Sequence, residues 1–409
     1  MKIIHVSKRR RYLTIVVIAL IATALVIGMG GCRNAPARFV LMIIPTVDGE
    51  VSEPGEGNFF YDEGMVVNLI AEADEGCYFV SWGGNITTIA DVGAATTTIT
   101  MDDSYYIYAI FGREVRDWYD LDAMRDNLYG SHTLMNDLDF TTPGYGELAS
   151  QIADEGKGWQ PIGTWSLSAF TGTFDGQGHE IRDLFINRPN QSPVGLFGFT
   201  GYDGVIKDIS MVNVTVTGYY YVGGLVGFNN GLVTNSYSTG NTSGAVGMVG
   251  GLVGKNSGTL NKSYSTAWVS GDVNAGGLVG DNWDGTVSDS YSTGNVAGFS
   301  CVGGLVAYNN RGAVIDSYST GRVTGSEEVG GLVGQNYDGT VVDSFWNIET
   351  SGQATSNGGT GKATVEMRDL ATFLGAGWNI CTVEPGSTNS TCTWNIVNGI
   401  TYPFLSWES

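Results

Sequence analysis

The chain has 409 residues, room for two or three domains, yet only 15% are charged, and 61 glycines stand beside 9 prolines with no three-residue period, which excludes collagen. A net charge of −21 excludes partners gripped by a basic surface, nucleic acid and anionic lipid above all. The Tyr, Thr, Ser, Val and Asn that accompany the glycines favour short strands and tight turns, so the expected class is all-β.

Residues 1–31 read as a signal peptide: Lys8, Arg9, Arg10 and Arg11 precede an apolar run of 15 residues from Leu13 to Ile27, then small residues lead to Cys32. A membrane-spanning helix needs about 20 apolar residues, so the run suits an export signal better. Met29-Gly30-Gly31-Cys32 resembles the bacterial lipobox, with Met29 where Leu is usual. The resemblance implies cleavage before Cys32, diacylglycerol on its sulfur, and a chain anchored to the outer face of a membrane. Export permits disulfides. Cys381 and Cys392 flank a turn-rich stretch and are expected to pair, whereas Cys77 and Cys301 are far apart and expected to stay free. No cysteine spacing matches a zinc site.

After a linker over 32–37, residues 38–112 alternate short apolar runs with Gly, Asp, Glu and Pro turns. The elements Gly76-Cys77-Tyr78-Phe79-Val80-Ser81-Trp82 and Thr100-Met101-Asp102, followed by Ala109-Ile110-Phe111, resemble the divergent B-repeat of internalin-type surface proteins. That resemblance implies a small β-grasp-like stalk or spacer without catalysis. Phe79 and Trp82 are expected in its core.

Residues 113–193 are expected to cap a repeat array and form its first coils. Trp118, Leu121, Met124 and Leu128 have helical spacing, and the segment from Asp117 to Leu128 is the one helix expected after the signal peptide.

Between 194 and 350 the chain repeats itself. Gly-Gly-Leu-Val-Gly starts at Gly223, Gly250 and Gly276, returns with a closing Ala at Gly303, and recurs at Gly330. Asn229, Asn256, Asn282, Asn309 and Asn336 follow at a fixed offset, and the aromatics Tyr237, Tyr264, Tyr291, Tyr318 and Phe345 are 27 residues apart throughout. From Asn to aromatic is eight residues in the first two copies and nine in the last three. The extra residue falls in the Asn-Gly turn, where Asn282-Trp283-Asp284-Gly285 replaces Asn229-Asn230-Gly231. A unit this short cannot enclose a core alone, so the expected fold is a parallel, right-handed β-solenoid. Coils about 4.8 Å apart would stack the Asn column into an amide ladder and the Tyr column into a ring stack. Glycines would take the corners at positive φ. These residues resemble the GLUG repeat of bacterial and archaeal surface proteins, which include adhesins and non-catalytic parts of immunoglobulin A-cleaving metallopeptidases. Residues 351–409 are expected to close the far end.

Enzymatic chemistry has little to stand on. Asp175, His179 and Asp208 are the best catalytic candidates, but Asp175-Gly176-Gln177-Gly178 reads as a turn. His179-Glu180 is followed by Asp183 where a zinc protease needs a second His, and no Gly-x-Ser-x-Gly motif occurs. Asp281-Asn282-Trp283-Asp284-Gly285 and Asp338-Gly339 offer oxygen ligands to calcium without EF-hand spacing; no other cofactor is expected. The expected function is adhesion or ligand binding at a cell surface, without catalysis, directed at glycans or at extracellular and host proteins. Phe228, Trp283, Tyr308 and Tyr337, beside the Asn column at variable positions, are the candidate contacts. A carbohydrate-active β-helix enzyme and a purely structural envelope component are the alternatives.

Overall fold

The computed structural model describes residues 37–165 and 168–408, so the expected signal peptide and Cys32 lie outside the described residues. Seven strands build the first domain: β1 (Arg38–Ile43), β2 (Gly49–Glu53), β3 (Gly57–Asp62), β4 (Val66–Ala73), β5 (Cys77–Gly84), β6 (Thr96–Thr100) and β7 (Tyr105–Val115). Alternation along β4 turns Val67, Leu69 and Ala71 inward. They meet Leu41, Trp82, Ile99, Ile107 and Phe111 in a separate core. Trp82 is 2% exposed, and its indole N–H donates to the Ala94 carbonyl at 3.0 Å.

Near residue 112 the sheet passes from the first domain into the solenoid without interruption. β7 runs on to Val115 and pairs in parallel with β8 (Ser131–Leu134), in register from Gly112↔Ser131 to Val115↔Leu134. The larger sheet of the first domain thereby continues into one wall of the solenoid.

Between them sits α1 (Trp118–Ala123), extended by a 3-10 turn over Met124–Asp126. Asp117 caps it, accepting from the amides of Tyr119 and Asp120 at 2.9 Å. Trp118, Leu121 and Met124 are fully buried over the open end of the solenoid core, where Trp118 meets Trp159 at 5.9 Å. α1 is not alone. Short helices α2 (Tyr145–Leu148), α3 (Ile348–Ser351) and α4 (Leu370–Gly375) complete the two ends, each too short for apolar periodicity to announce it.

Each coil has three sides. The Asn wall stacks six strands from Phe197–Thr200 to Val333–Tyr337. The short wall uses three-residue strands such as Leu232–Thr234 and Thr259–Asn261. The Tyr wall begins with strands of 14 residues, Ser210–Gly223 and Tyr237–Gly250. Pairing is parallel and in register: Val226↔Val253, Val233↔Leu260 and Tyr237↔Tyr264. Leu225, Leu252, Leu278, Leu305 and Leu332 form a fully buried inward column, as do Val233, Leu260, Val287 and Val314. Each such side chain contributes about 1.5–3 kcal/mol by leaving water.

The glycines do not serve the corners as expected. Positive φ falls on Asn235, Lys262, Asp289, Asp316 and Asp343 at one corner, and on Tyr221, Met248, Asn274, Cys301 and Glu328 at another. Asp and Asn tolerate this region because their short polar side chains bond locally. The paired glycines answer to space instead. A Cβ on Gly250 would strike the Val253 carbonyl and lie 2.6 Å from the Leu278 carbonyl of the next coil. Gly276, Gly303 and Gly330 repeat the clash with Val279, Val306 and Val333.

At the far end only part of the last segment acts as a lid. Residues 353–357 close the final coil: Ser356 Oγ accepts from the amides of Leu332 and Val333, and Asn357 N–H donates to Val333. Thr360–Lys362 then adds to the Tyr wall beside Phe345–Asn347. The rest turns back along the outside of that wall. Its small sheet of Ile380–Thr382, Trp394–Ile396 and Phe404–Leu405 is joined by a Cys381–Cys392 disulfide. Cys77 and Cys301 are free thiols, and burial pushes each up to about 11, so both are protonated at neutral pH.

A ring-lined groove and an aromatic face

The two ladders occupy different environments. Asn229, Asn256, Asn282 and Asn309 are fully buried, each donating Nδ2–H to the Oδ1 of the next Asn at 2.8–2.9 Å. Each amide also bonds the glycine that closes its turn, Gly231 at 3.2 Å in the short version and Gly285 at 3.1 Å in the longer one. The inserted residue therefore bulges outward without breaking the ladder.

The Tyr column faces outward, because Ser236 and Ser238 on either side of Tyr237 take the inward positions at 0% exposure. Tyr237, Tyr264, Tyr291 and Tyr318 stack with centroids 4.6, 4.6 and 5.0 Å apart and planes within 7°. Phe345 leaves the stack and packs edge-on to Phe373 at 5.6 Å. The returning C-terminal segment covers the lower column with Trp378, Trp394 and Leu405, forming a third apolar core. Tyr318 donates to the Pro403 carbonyl at 2.5 Å, and Trp394 Nε1 to Asp289 at 3.3 Å.

At the upper end the covering stops, leaving a groove of about 640 Å³. Trp407 lies against Tyr264 and Tyr237 at 5.7 and 6.3 Å, 25° from parallel, and its Nε1 donates to Lys262. Carboxylates line the rest of it, with Glu180 in line with the ring column itself through the register Glu180↔Ser210↔Tyr237. Asp175 holds Lys207 at 2.6 Å, Asp208 accepts from Asn235 at 2.9 Å, and Glu180 is paired with Arg182. Glu408 receives the Tyr291 hydroxyl at 2.8 Å and the Leu405 amide at 2.5 Å, and burial pushes its carboxyl up to about 7. Asp175 and Asp208 thus meet in the groove. His179 does not join its lining, for its Nδ1 faces Asp137 at 3.1 Å.

Phe228 and Tyr308 stand on the outer side of the Asn wall in one column with Lys255, Asp281 and Gln335. Phe228 packs on Phe199 at 4.9 Å, Tyr221 at 5.5 Å and Trp165 at 6.0 Å. Trp283 is 36% exposed and lies over Lys255 at 4.4 Å and Arg311 at 5.0 Å. Tyr337 is 55% exposed in the next turn but one. The acidic turn residues proposed for calcium part company: Asp281 faces Lys255, and Asp284 binds Arg311 through both oxygens at 2.8 and 2.6 Å. Among the described residues no group of three His, Cys, Asp or Glu is placed to hold a metal. Sequence reasoning missed Trp407 and Glu408, which carry no repeat signal. The Lys255–Asp281 pair was legible, since each residue directly precedes a ladder Asn.

Comparison with known proteins divides the chain in the same way. Residues 39–114 match the divergent InlB B-repeat domain, and residues 218–243 and 300–324 match the GLUG motif. Over 198 residues the chain is 29% identical to halomucin of Haloquadratum walsbyi, covering 45% of this chain and 2% of that protein. Over 120 residues it is 35% identical to a protein of Evansella cellulosilytica described provisionally as a Gly-rich membrane protein, covering 28% of this chain and 13% of the other. The match thus spans a small fraction of either relative's length. A crystal structure from Bacteroides ovatus, described provisionally as an immunoglobulin A1 protease, aligns over 74% of this chain and 93% of its own with a TM-score of 0.50. At 20% identity that likeness is one of fold alone. The chain joins a divergent InlB B-repeat domain to a β-solenoid that carries GLUG motifs.

Proposed function

We propose that this chain is a surface-exposed binding protein without catalytic activity, and that the groove beside Trp407 takes a glycan. The observation that carries the reading is one groove lined by the rings of Tyr237, Tyr264 and Trp407 together with the carboxylates of Asp175, Glu180 and Asp208. Aromatic faces attract the weakly positive C–H faces of sugar rings, and carboxylates accept their hydroxyls. With a net charge of −21, the ligand is a neutral or amino sugar rather than an anionic polymer. Location at a surface is supported by relatives named as a halomucin and a membrane protein, and by the basic and apolar N-terminus leading to Cys32.

A carbohydrate-cleaving reading rests on Glu408, whose raised carboxyl has the character of a general acid. Both of its oxygens are already engaged by Tyr291 and Leu405, which favours an anchoring role. Two measurements separate the readings. On a glycan array the wild type should bind neutral or amino glycans, and Trp407→Ala should lose at least about tenfold in affinity. Binding to nothing on the array overturns the proposal, and new reducing ends after incubation with polysaccharide establish the enzyme instead.

A further inference from the structure

The outward column of the Tyr wall holds one ring per coil from Tyr318 back to Tyr237, and there it stops. The next position is Ser210, in register with Tyr237, and the one beyond is Glu180, in register with Ser210. Both stand on the outer side, because Ile181 and Met211 beside them point into the core. Stacked rings fill the coil spacing, with centroids 4.6–5.0 Å apart. A side chain as small as that of Ser210 therefore leaves the room of one ring above Tyr237. Trp407 does not fill it, since it lies nearer Tyr264 than Tyr237 and so stands beside the column. Glu180 roofs the gap loosely. One of its oxygens is paired with Arg182, and the other accepts from the Tyr237 hydroxyl at 3.5 Å, far longer than such a bond prefers. Ser210 is 7% exposed beneath it, so entry requires that weak contact to give way. Ser210, Tyr237 and Glu180 all line the groove.

We infer, resting on the glycan reading above, that one sugar ring of the ligand takes the place of the missing ring at Ser210. Its C–H face lies on Tyr237, and a hydroxyl replaces that of Tyr237 on Glu180. Other hydroxyls at its rim reach Asp175 and Asp208, which line the same groove and keep lone pairs beyond those used by Lys207 and Asn235. A purely apolar ring would stack as well, but it would strip water from these carboxylates and return no donor. An acidic sugar would bring a like charge beside them. A neutral or amino sugar meets both conditions.

Ser210→Tyr tests the placement by supplying the missing ring from the chain itself. The variant should extend the stack, unfold at or above the wild-type temperature, and lose all measurable binding to the neutral or amino glycan that wild type binds tightest on an array. Retained binding by the folded variant overturns the placement and leaves the glycan reading standing. A wild type that binds no glycan overturns both. Should Ser210→Tyr fail to fold, nuclear Overhauser contacts in the wild-type complex decide the matter. Sugar-ring protons should reach the Ser210 β-protons and the Tyr237 ring, and a bound glycan that contacts Trp407 but not Ser210 overturns the placement.

Discussion

At the residue scale, the repeat preserves atoms rather than residue types. Asn282 sits inside the amide ladder, donating to Asn309 and accepting from Asn256. Asn282→Ala should strand a buried donor and a buried acceptor and cost about 2–4 kcal/mol in chemical denaturation. Asn336→Ala, at the half-buried end of the ladder, should cost about 1 kcal/mol. Equal costs at both sites would mean that the ladder does not act as a chain. Gly250→Ala tests why the glycines recur. Its φ is unexceptional, yet a Cβ there meets carbonyls on two sides. The change should destabilise by about 3 kcal/mol or more. Asp316→Gly, at a corner with φ 48, should be nearly neutral or mildly stabilising in backbone terms. A reading in which glycine serves the corners reverses that order.

At the element scale, the C-terminal segment acts as a buttress along the Tyr wall, and its docking has a pH dependence with a defined sign. The Glu408 carboxyl sits at about 7 in the folded chain against an ordinary value of 4.5. Between those values the unfolded segment has released a proton that the docked one keeps, so docking is strongest below about 4.5 and weakens as pH rises to about 7. Fluorescence of Trp394 and Trp407, followed through thermal unfolding across that range, should show the loss, and Glu408→Gln should flatten it. An unchanged profile in the variant would place the sensitivity elsewhere. The same segment shows what a repeat scan could not reach. The 27-residue spacing announced the Tyr stack, because identical residues must coincide when coils stack. What covers the stack comes from residues 363–408, a stretch with no repeat, joined to the stack through contacts such as Trp407 to the Lys262 carbonyl.

At the scale of the whole molecule, β7 is both the last strand of the first domain and the neighbour of β8. A chain beginning at residue 116 would lack every register partner of β8 on β7 and expose it as an open parallel edge. It should self-associate, and size-exclusion chromatography at rising concentration should show oligomers that the longer chain does not form. A monomer throughout would mean that the edge is protected by other means.

The sequence by itself determined the all-β class, the in-register coils, the two ladders and the place of the turn insertions, because period and alternation translate directly into stacking and facing. It also put Lys255 and Asp281 in one column, each one residue before its ladder Asn. Only the tertiary structure decided which columns were buried from outside. The Tyr stack became partly core because the chain folds back upon it, and the groove arose where that covering stops at Trp407. It also decided that glycine serves close approach while Asp and Asn turn the corners. Spacing along a chain fixes which residues coincide, but the clearance between coils and the path of a non-repeating tail depend on atoms distant in sequence.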